Sequence, residues 1–274
     1  MEFALLASGS KGNAFLLRDR DTEIMIDCGT TKRYLSECFQ KLKISVQDLD
    51  ALLITHDHTD HISQIRHFRN LSIYSPVEIT DTEVFLVRPL QQFAVNSLQI
   101  TPVALSHDAP NTTGYIIENG EEKLVYITDT GYLNQRYLPL MQDADYIIME
   151  SNHDTEMLMQ TRRPQYLKYR IYGDQGHLNN EDCADILTKL AGPKTKMIIL
   201  AHISQEANTR LRALDVSRKR LQECGSLRKD LILAAAGQHE MIRKGWNNEK
   251  TDPGSVCCTV GMECLADLQA DADR

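Results

Sequence analysis

The segment ITHDHTDHIS, residues 54–63, places three histidines and two aspartates in the six positions from His56 to His61, directly behind the apolar run LDALLIT. A buried strand ending in so much imidazole and carboxylate restricts the fold strongly, because these groups must gather where the strand emerges from the core. The pattern recurs along the chain. His107 follows LQITPVALS, Asp129 follows KLVYIT and His202 follows KMIILA, so four separate apolar runs each deliver a metal-binding side chain at the carboxyl end. Strand ends aligned along one edge of a sheet would bring all of these together.

Other short apolar or alternating runs, among them EFALLAS, NAFLLRD, EIMIDCG, SIYSP, GYIIEN, YIIMES and LILAAAGQ, are bounded by turn residues and read as strands. Helical patterns are expected over 32–43, 61–70, 155–171, 181–191 and 206–224. Many strands with interspersed helices point to a layered α/β or α+β domain. No Pro/Gly/Ser-rich linker divides the chain, so residues 1–245 are expected to form one domain. Residues 246–274, which lose clear periodicity and end acidic, are expected to form a poorly ordered tail.

Composition narrows the setting. With 274 residues, 42% hydrophobic and 25% charged, the chain can bury one large core or two modest ones. No apolar stretch approaches the ~20 residues of a membrane span. The start MEFALLASGSKGN makes a poor signal peptide, and the seven cysteines include no C-x-x-C pair, so a reduced, cytoplasmic protein is expected. The net charge of −8 argues against non-specific polyanion binding by the molecule as a whole, although local patches can reverse that.

His67 and His239 read as ordinary surface or satisfied core histidines. His56, His58, Asp60 and His61 do not, because this density of imidazole and carboxylate suits a divalent cation. Three neutral imidazoles, His56, His58 and His107, suit one ion; Asp60, His61 and His202 suit a second; Asp129 suits a bridging place between them. Two cations ~3.5–4 Å apart make hydroxide at neutral pH and clamp both oxygens of a displacement. A structural zinc would close on four ligands, often thiolates, and no cysteine falls in this set. Zinc is the first choice of ion, with manganese or iron also accepted by such donors.

The ordered motifs HDHTDH, SHDAPNTTGY, ITDTGYL and LAHIS, preceded by LASGSKGNAFLL and IDCG, resemble the metallo-β-lactamase superfamily from the first residues to about residue 205. The resemblance implies a four-layer αββα sandwich with a dinuclear site at the edge where the loops of the sheets meet. His58 stands where oxygen-reducing di-iron members carry a carboxylate, and Asp129 where zinc β-lactamases commonly carry a cysteine. Redox chemistry and antibiotic hydrolysis are therefore set aside, leaving hydrolysis of esters, lactones, thioesters or phosphodiesters.

The segments IIMESNHD and YGDQGHLNN are similar to the paired motifs of the nuclease branch, which includes the tRNA 3′-processing enzyme, ribonuclease Z. Carried over, His177 is the general acid to the departing oxygen and Glu150 its orienting partner; in the mechanism expected here, Asp60 and Asp129 direct the attacking hydroxide. The arm by which that enzyme grips tRNA has no counterpart between His107 and Asp129. The fullest likeness, through GSKGNAFLL, ESNHDTEML, LKYRIYGDQGHLNN and AHIS, is to the compact bacterial YycJ (WalJ) family. That implies 5′→3′ exonuclease action on the ends of duplex DNA.

Independent support for a nucleic-acid partner comes from TRRPQYLKYRIYGD, where Arg162, Arg163, Lys168 and Arg170 alternate with Tyr166, Tyr169 and Tyr172 beside His177. A second basic stretch carries Arg210, Arg212, Arg218, Lys219 and Arg220, which read equally as a solvated helix face. Ser10, Gly12 and Asn13 lie in a Gly-rich turn expected to offer backbone N–H groups to substrate near the site, and His153 with Asp154 is expected to line the pocket. Asp27 is read either as a support behind the ligand loop or as a turn residue before Gly29. Two other functions stay open: a small-molecule ester, lactone or thioester hydrolase, and a metal-binding module without catalysis.

Overall fold

The computed structural model describes residues 1–246 and arranges them as two seven-stranded mixed sheets packed face to face. The first sheet takes β1 (Glu2–Ala7), β2 (Ala14–Asp19), β3 (Thr22–Ile26), β4 (Ala51–Leu53), β5 (Ser72–Ser75) and β6 (Phe85–Leu86) in chain order. The second takes β7 (Phe93–Val95), β8 (Leu98–Ala104), β9 (Thr113–Glu118), β10 (Lys123–Ile127), β11 (Tyr146–Glu150), β12 (Met197–Ala201) and β13 (Ile232–Ala235). A last strand, β14 (Ile242–Lys244), returns to the first sheet and pairs antiparallel with β1.

Both sheets change direction partway across. β1, β2 and β3 form an antiparallel meander, and β3 to β6 then run parallel; β7 to β10 form a meander, and β10 to β13 run parallel. Parallel pairs require crossovers, and helices supply all of them except the β5–β6 connection, which is a loop. α1 (Lys32–Leu42) and the one-turn α2 (Thr59–Ile62) serve the first sheet. α3 (Leu138–Met141), α4 (Thr155–Gln160), α5 (Gln165–Tyr172), α6 (Asn180–Leu190) and α7 (Arg210–Glu223) serve the second.

Three apolar layers follow from strands buried on both faces. In β1, Phe3 and Leu5 point into the inter-sheet core with Phe15, Tyr115, Tyr126 and Tyr146, whereas Ala4 and Leu6 face the layer under α1. On the far side, Ile147, Met149, Ile198 and Leu200 pack against Leu187 of α6 and Leu221 of α7. The order is helix, sheet, sheet, helix, the four-layer sandwich that the motifs implied. It also explains why strands such as LDALLIT and KMIILA read as nearly unbroken apolar runs.

Two helical expectations change. The stretch 155–171 is two helices, α4 and α5, because Pro164 lacks the amide a continuing helix needs. The stretch 61–70 contains only the end of α2 and a short 3-10 turn, Ile65–His67. β6, β7 and β14, two or three residues long, had no legible pattern. Of the expected tail, residues 247–274 lie outside the described residues. Trp246 itself is buried, with its indole beneath the Arg18 guanidinium at 4.0 Å and its Nε1 donating to Leu42 O.

The first sheet's ligand loop depends on one close approach. At Gly29, a Cβ would stand 1.7 Å from the Asp60 carbonyl oxygen, so only glycine lets the β3–α1 turn lie against the HDHTDH loop. Gly29→Ala is expected to cost about 3 kcal/mol or more in urea unfolding, the upper range for overpacking. Wild-type stability in that variant would contradict the contact.

Candidate metal centre

The carboxyl ends of β3, β4, β8, β10, β11 and β12 share one edge of the sandwich, and the seven expected ligands, Asp27 and Glu150 leave from them, whereas His177 comes from the turn between α5 and α6. Three of the departures are conformationally costly. Asp27 after β3, Asp129 after β10 and His202 after β12 all hold positive φ, at 57°, 58° and 52°. For residues with a Cβ, each left-handed conformation costs about 1–3 kcal/mol. The surrounding packing holds these three against that cost, which concentrates strain at this edge.

The seven expected ligands come together. Donor atoms of His56, His58 and His107 lie within 4.8 Å of one another, as do those of Asp60, His61 and His202, and those of His56, His61 and Asp129. Asp129 stands between the groups, with Oδ2 3.4 Å from His61 Nε2 and Oδ1 3.3 Å from His202 Nε2. His56 Nε2, His202 Nε2 and Asp129 Oδ2 are buried without a hydrogen-bond partner among the described residues. Buried polar atoms left unpaired in this way each cost about 1–3 kcal/mol. Their convergence fits a divalent cation, and the donor set of imidazoles and carboxylates fits the same group.

Behind this layer, His56, His61, His107, His177 and His202 are each held through Nδ1, His56 by the Thr55 hydroxyl at 3.1 Å. His61 Nδ1 pairs with Asp27 Oδ2 at 2.8 Å, and the Thr55 amide and hydroxyl donate to both oxygens of Asp27 at 2.9 Å. The alternative of a simple turn aspartate therefore falls away. His107 Nδ1 meets Gly176 O at 3.0 Å. Glu150 serves two rings at once: Oε1 lies 2.8 Å from both His177 Nδ1 and His202 Nδ1, while Oε2 accepts from the amides of Thr130 and Leu178. With Nδ1 occupied, His177 presents Nε2 to the cleft that it lines with His58, Asp60, His107, Asp129 and His202.

Charges at the centre divide the histidines. Burial, with repulsion from His61, drives His56 far below the usual imidazole value, and burial also lowers His107. Burial opposes protonation of His61 and His202 too, but carboxylates outweigh it: Asp27 and Asp129 around His61, Asp129 and Glu150 around His202. Both rise to about 9. Burial works against ionised Asp129, yet the imidazoles of His202, His61 and His56 hold it well below the carboxylate range.

Sequence reasoning missed Asp108, whose carboxylate lies 3.3 Å from His107 Nε2 and 3.8 Å from His58 Nε2 and pairs with Arg170. The acid directly after a ligand histidine was its only signal. Of the expected substrate contacts, Arg163 and Arg170 line the cleft, as does Ser10. Four do not. Arg162 is exposed outside the lining residues. Asn13 is fully buried, its amide spent on Gly9 O and on His61 Nε2 at 2.9 Å. Lys168 turns inward to Met159 O, and His153 is fully buried against the Tyr172 ring with its pKa depressed by burial to about 4. On α7 the arginines are neutralised, Arg210 by Glu240, Arg212 by Asp154 and Arg220 by Asp185.

A helix–sheet–sheet–helix sandwich with a histidine and aspartate centre at the carboxyl edge of its strands defines the metallo-β-lactamase class of folds. The chain belongs to the beta-lactamase superfamily domain family, whose model matches residues 22–203. It is 31% identical over 225 residues to exodeoxyribonuclease WalJ of Streptococcus pneumoniae, covering 76% of this chain and 83% of that one. Exodeoxyribonuclease YycJ of Bacillus anthracis is likewise 31% identical, over 76% of this chain and 84% of its own length. Among solved structures, the metallo-beta-lactamase fold protein YhfI from Bacillus subtilis superposes with a TM-score of 0.63 at 19% identity, covering 88% of this chain and 99% of that one.

Protonated His61 and His202 stabilise the metal-free protein below about pH 6.5, the unfolded value, and that contribution is lost as pH rises through about 9. In chelator, the melting temperature is expected to fall by several degrees between pH 6.5 and 9.5. A flat profile across that window would contradict the electrostatic arrangement.

Proposed function

We propose that this chain is a metal-dependent phosphodiesterase that removes nucleotides from DNA ends, an exodeoxyribonuclease working 5′→3′. The observation that carries the reading is the Glu150–His177 pair at 2.8 Å, opening into the same cleft as the histidine and aspartate cluster. A cluster alone would serve many hydrolases. A fixed imidazole beside it answers the particular difficulty of phosphodiesters, whose departing alkoxide needs a proton. The 31% identity to the two exodeoxyribonucleases supports the same substrate class.

His56, His58 and His107 would hold one cation and Asp60, His61 and His202 another, with Asp129 reaching both; zinc is our choice, manganese or iron the alternatives. Such a pair, when bound, supplies Lewis acidity that acidifies water and takes up charge on a phosphoryl group. The protein's own groups do the rest. Asp60, at the cleft wall, accepts a hydrogen bond from the attacking water and orients it toward phosphorus. Asp27 and Glu150 fix the tautomers of His61, His202 and His177. With Nδ1–H donated to Glu150, His177 acts as the imidazolium: it gives its Nε2 proton to the leaving oxygen and ends as the neutral Nδ1–H ring, and Glu150 stabilises the charged form. Glu150 stays ionised for this because His177 and His202 overcome its burial and hold its pKa at about 2. Arg163 and Arg170, paired with Glu206 and Asp108, exchange those carboxylates for phosphates at the cleft mouth. The cysteines Cys28, Cys38, Cys183 and Cys224 are all free thiols, which supports a reducing, cytoplasmic setting.

On end-labelled duplex DNA, His177→Ala is expected to lower kcat by about 10²–10⁴-fold with metal content unchanged, and Asp60→Ala to lose both turnover and bound metal. Wild-type turnover in either would retire these roles. With two phosphate contacts, KM for DNA is expected to rise about tenfold between 50 and 200 mM salt; a salt-independent rate would favour a small uncharged substrate instead.

A further inference from the structure

Among the described residues, three carboxylates line the cleft: Asp60, Asp108 and Asp129. Two of them fall in the expected ligand set, and Asp108 is the third. Its oxygens face different partners. Oδ2 pairs with the Arg170 guanidinium, while Oδ1 lies 3.3 Å from His107 Nε2 and 3.8 Å from His58 Nε2.

No proton bridges the shorter of these gaps. Gly176 O can only accept, so His107 Nδ1, 3.0 Å away, carries the proton of the neutral ring, and Nε2 is left as a bare lone pair. A lone pair facing a carboxylate oxygen at that range is repelled unless something positive lies between them. Arg170 does not fill the place, because it sits on the other oxygen. A cation does.

The distances agree. With bonds of about 2.0–2.2 Å to nitrogen and oxygen, two donors on one tetrahedral ion lie about 3.3–3.6 Å apart. Asp129 stands 3.4 Å from His61 Nε2 and 3.3 Å from His202 Nε2, and Asp60 stands 3.7 Å from His61 Nε2. Asp108 repeats this spacing against His107 and His58. Charge balance points the same way. Asp60 gives the ion at His61 and His202 a carboxylate of its own, whereas His56, His58 and His107 would bind as neutral donors with only the shared Asp129 beside them. Asp108 evens the two positions.

We propose that Asp108 is a further metal ligand, giving Oδ1 from the cleft side to the cation held by His56, His58 and His107, while Arg170 on Oδ2 fixes the carboxylate's orientation. It rests on the metal-dependent reading of the site and adds a donor to it. A carboxylate oxygen beside three imidazoles suits manganese and iron as well as zinc. When a substrate phosphate takes Arg170, the ion remains as the positive partner of Asp108.

The test reads metal directly. Full-length protein stripped by a chelator is titrated with zinc in competition with a chromogenic chelator, and wild type is expected to take up two equivalents. Asp108→Ala is expected to weaken one of them by at least about tenfold, the least that removing even a partner behind a ligand costs, and to leave the other close to wild type. Arg170→Gln, which keeps the carboxylate and removes only its outer partner, should hold both ions near their wild-type affinities. In protein loaded with cobalt, Asp108→Ala should alter the visible d–d bands, which respond to the atoms bonded to the ion and not to a charge standing off from it. The Asp108 side chain is 21% exposed, so the metal-free variant should keep the wild-type circular dichroism. Wild-type zinc affinity or unchanged cobalt bands in Asp108→Ala, an equal loss of both ions, or a matching loss in Arg170→Gln overturns the role of Asp108 alone. Wild type that takes up no metal overturns the metal-dependent reading with it.

Discussion

Glu150 and Asp27 are the two buried carboxylates on which the site depends. Each sits at or just past the end of a parallel strand, each is wholly buried, and each is saturated by backbone amides or a hydroxyl on one side and by imidazole on the other. A bare carboxylate at such depth would neutralise itself by binding a proton. Glu150, fully partnered, stays charged and becomes a fixed negative point against which His177 and His202 are aimed. The rigidity of the sheets reaches the chemistry through these pairs.

The same logic accounts for the backbone strain. Asp27, Asp129 and His202 leave their strands in the left-handed conformation, which turns each side chain sharply across the sheet edge. A relaxed strand continuation would carry these groups past the edge and leave the two halves of the cluster apart. The inter-sheet core of Phe3, Phe15, Tyr115, Tyr126 and Tyr146 supplies the stability that offsets this cost.

Much of the fold and site was legible because ligand chemistry and strand punctuation coincide. His56 to His61, His107, Asp129 and His202 each close an apolar run, and parallel strands must end at a common edge. Pairings between residues distant in sequence were not legible. Nothing local says that Glu150 serves His202 as well as His177, or that Arg212 is neutralised by Asp154 and Arg210 by Glu240. Lys168 was expected as a phosphate contact because it belongs to a basic stretch beside His177, and a one-dimensional charge count does not say which way a side chain turns. The break at Pro164 resets the helical phase and turns that side chain inward. His153 and Asn13 were misassigned for a related reason: polarity beside a motif does not reveal whether a side chain faces the cleft or the layer behind it.

The central claim is that seven side chains from distant parts of the chain hold two cations. Anomalous diffraction from crystals grown with zinc tests it most directly. Two peaks about 3.5–4 Å apart are expected, one within bonding distance of His56, His58 and His107, the other of Asp60, His61 and His202, with Asp129 touching both. A single peak, or peaks away from these side chains, would contradict the account.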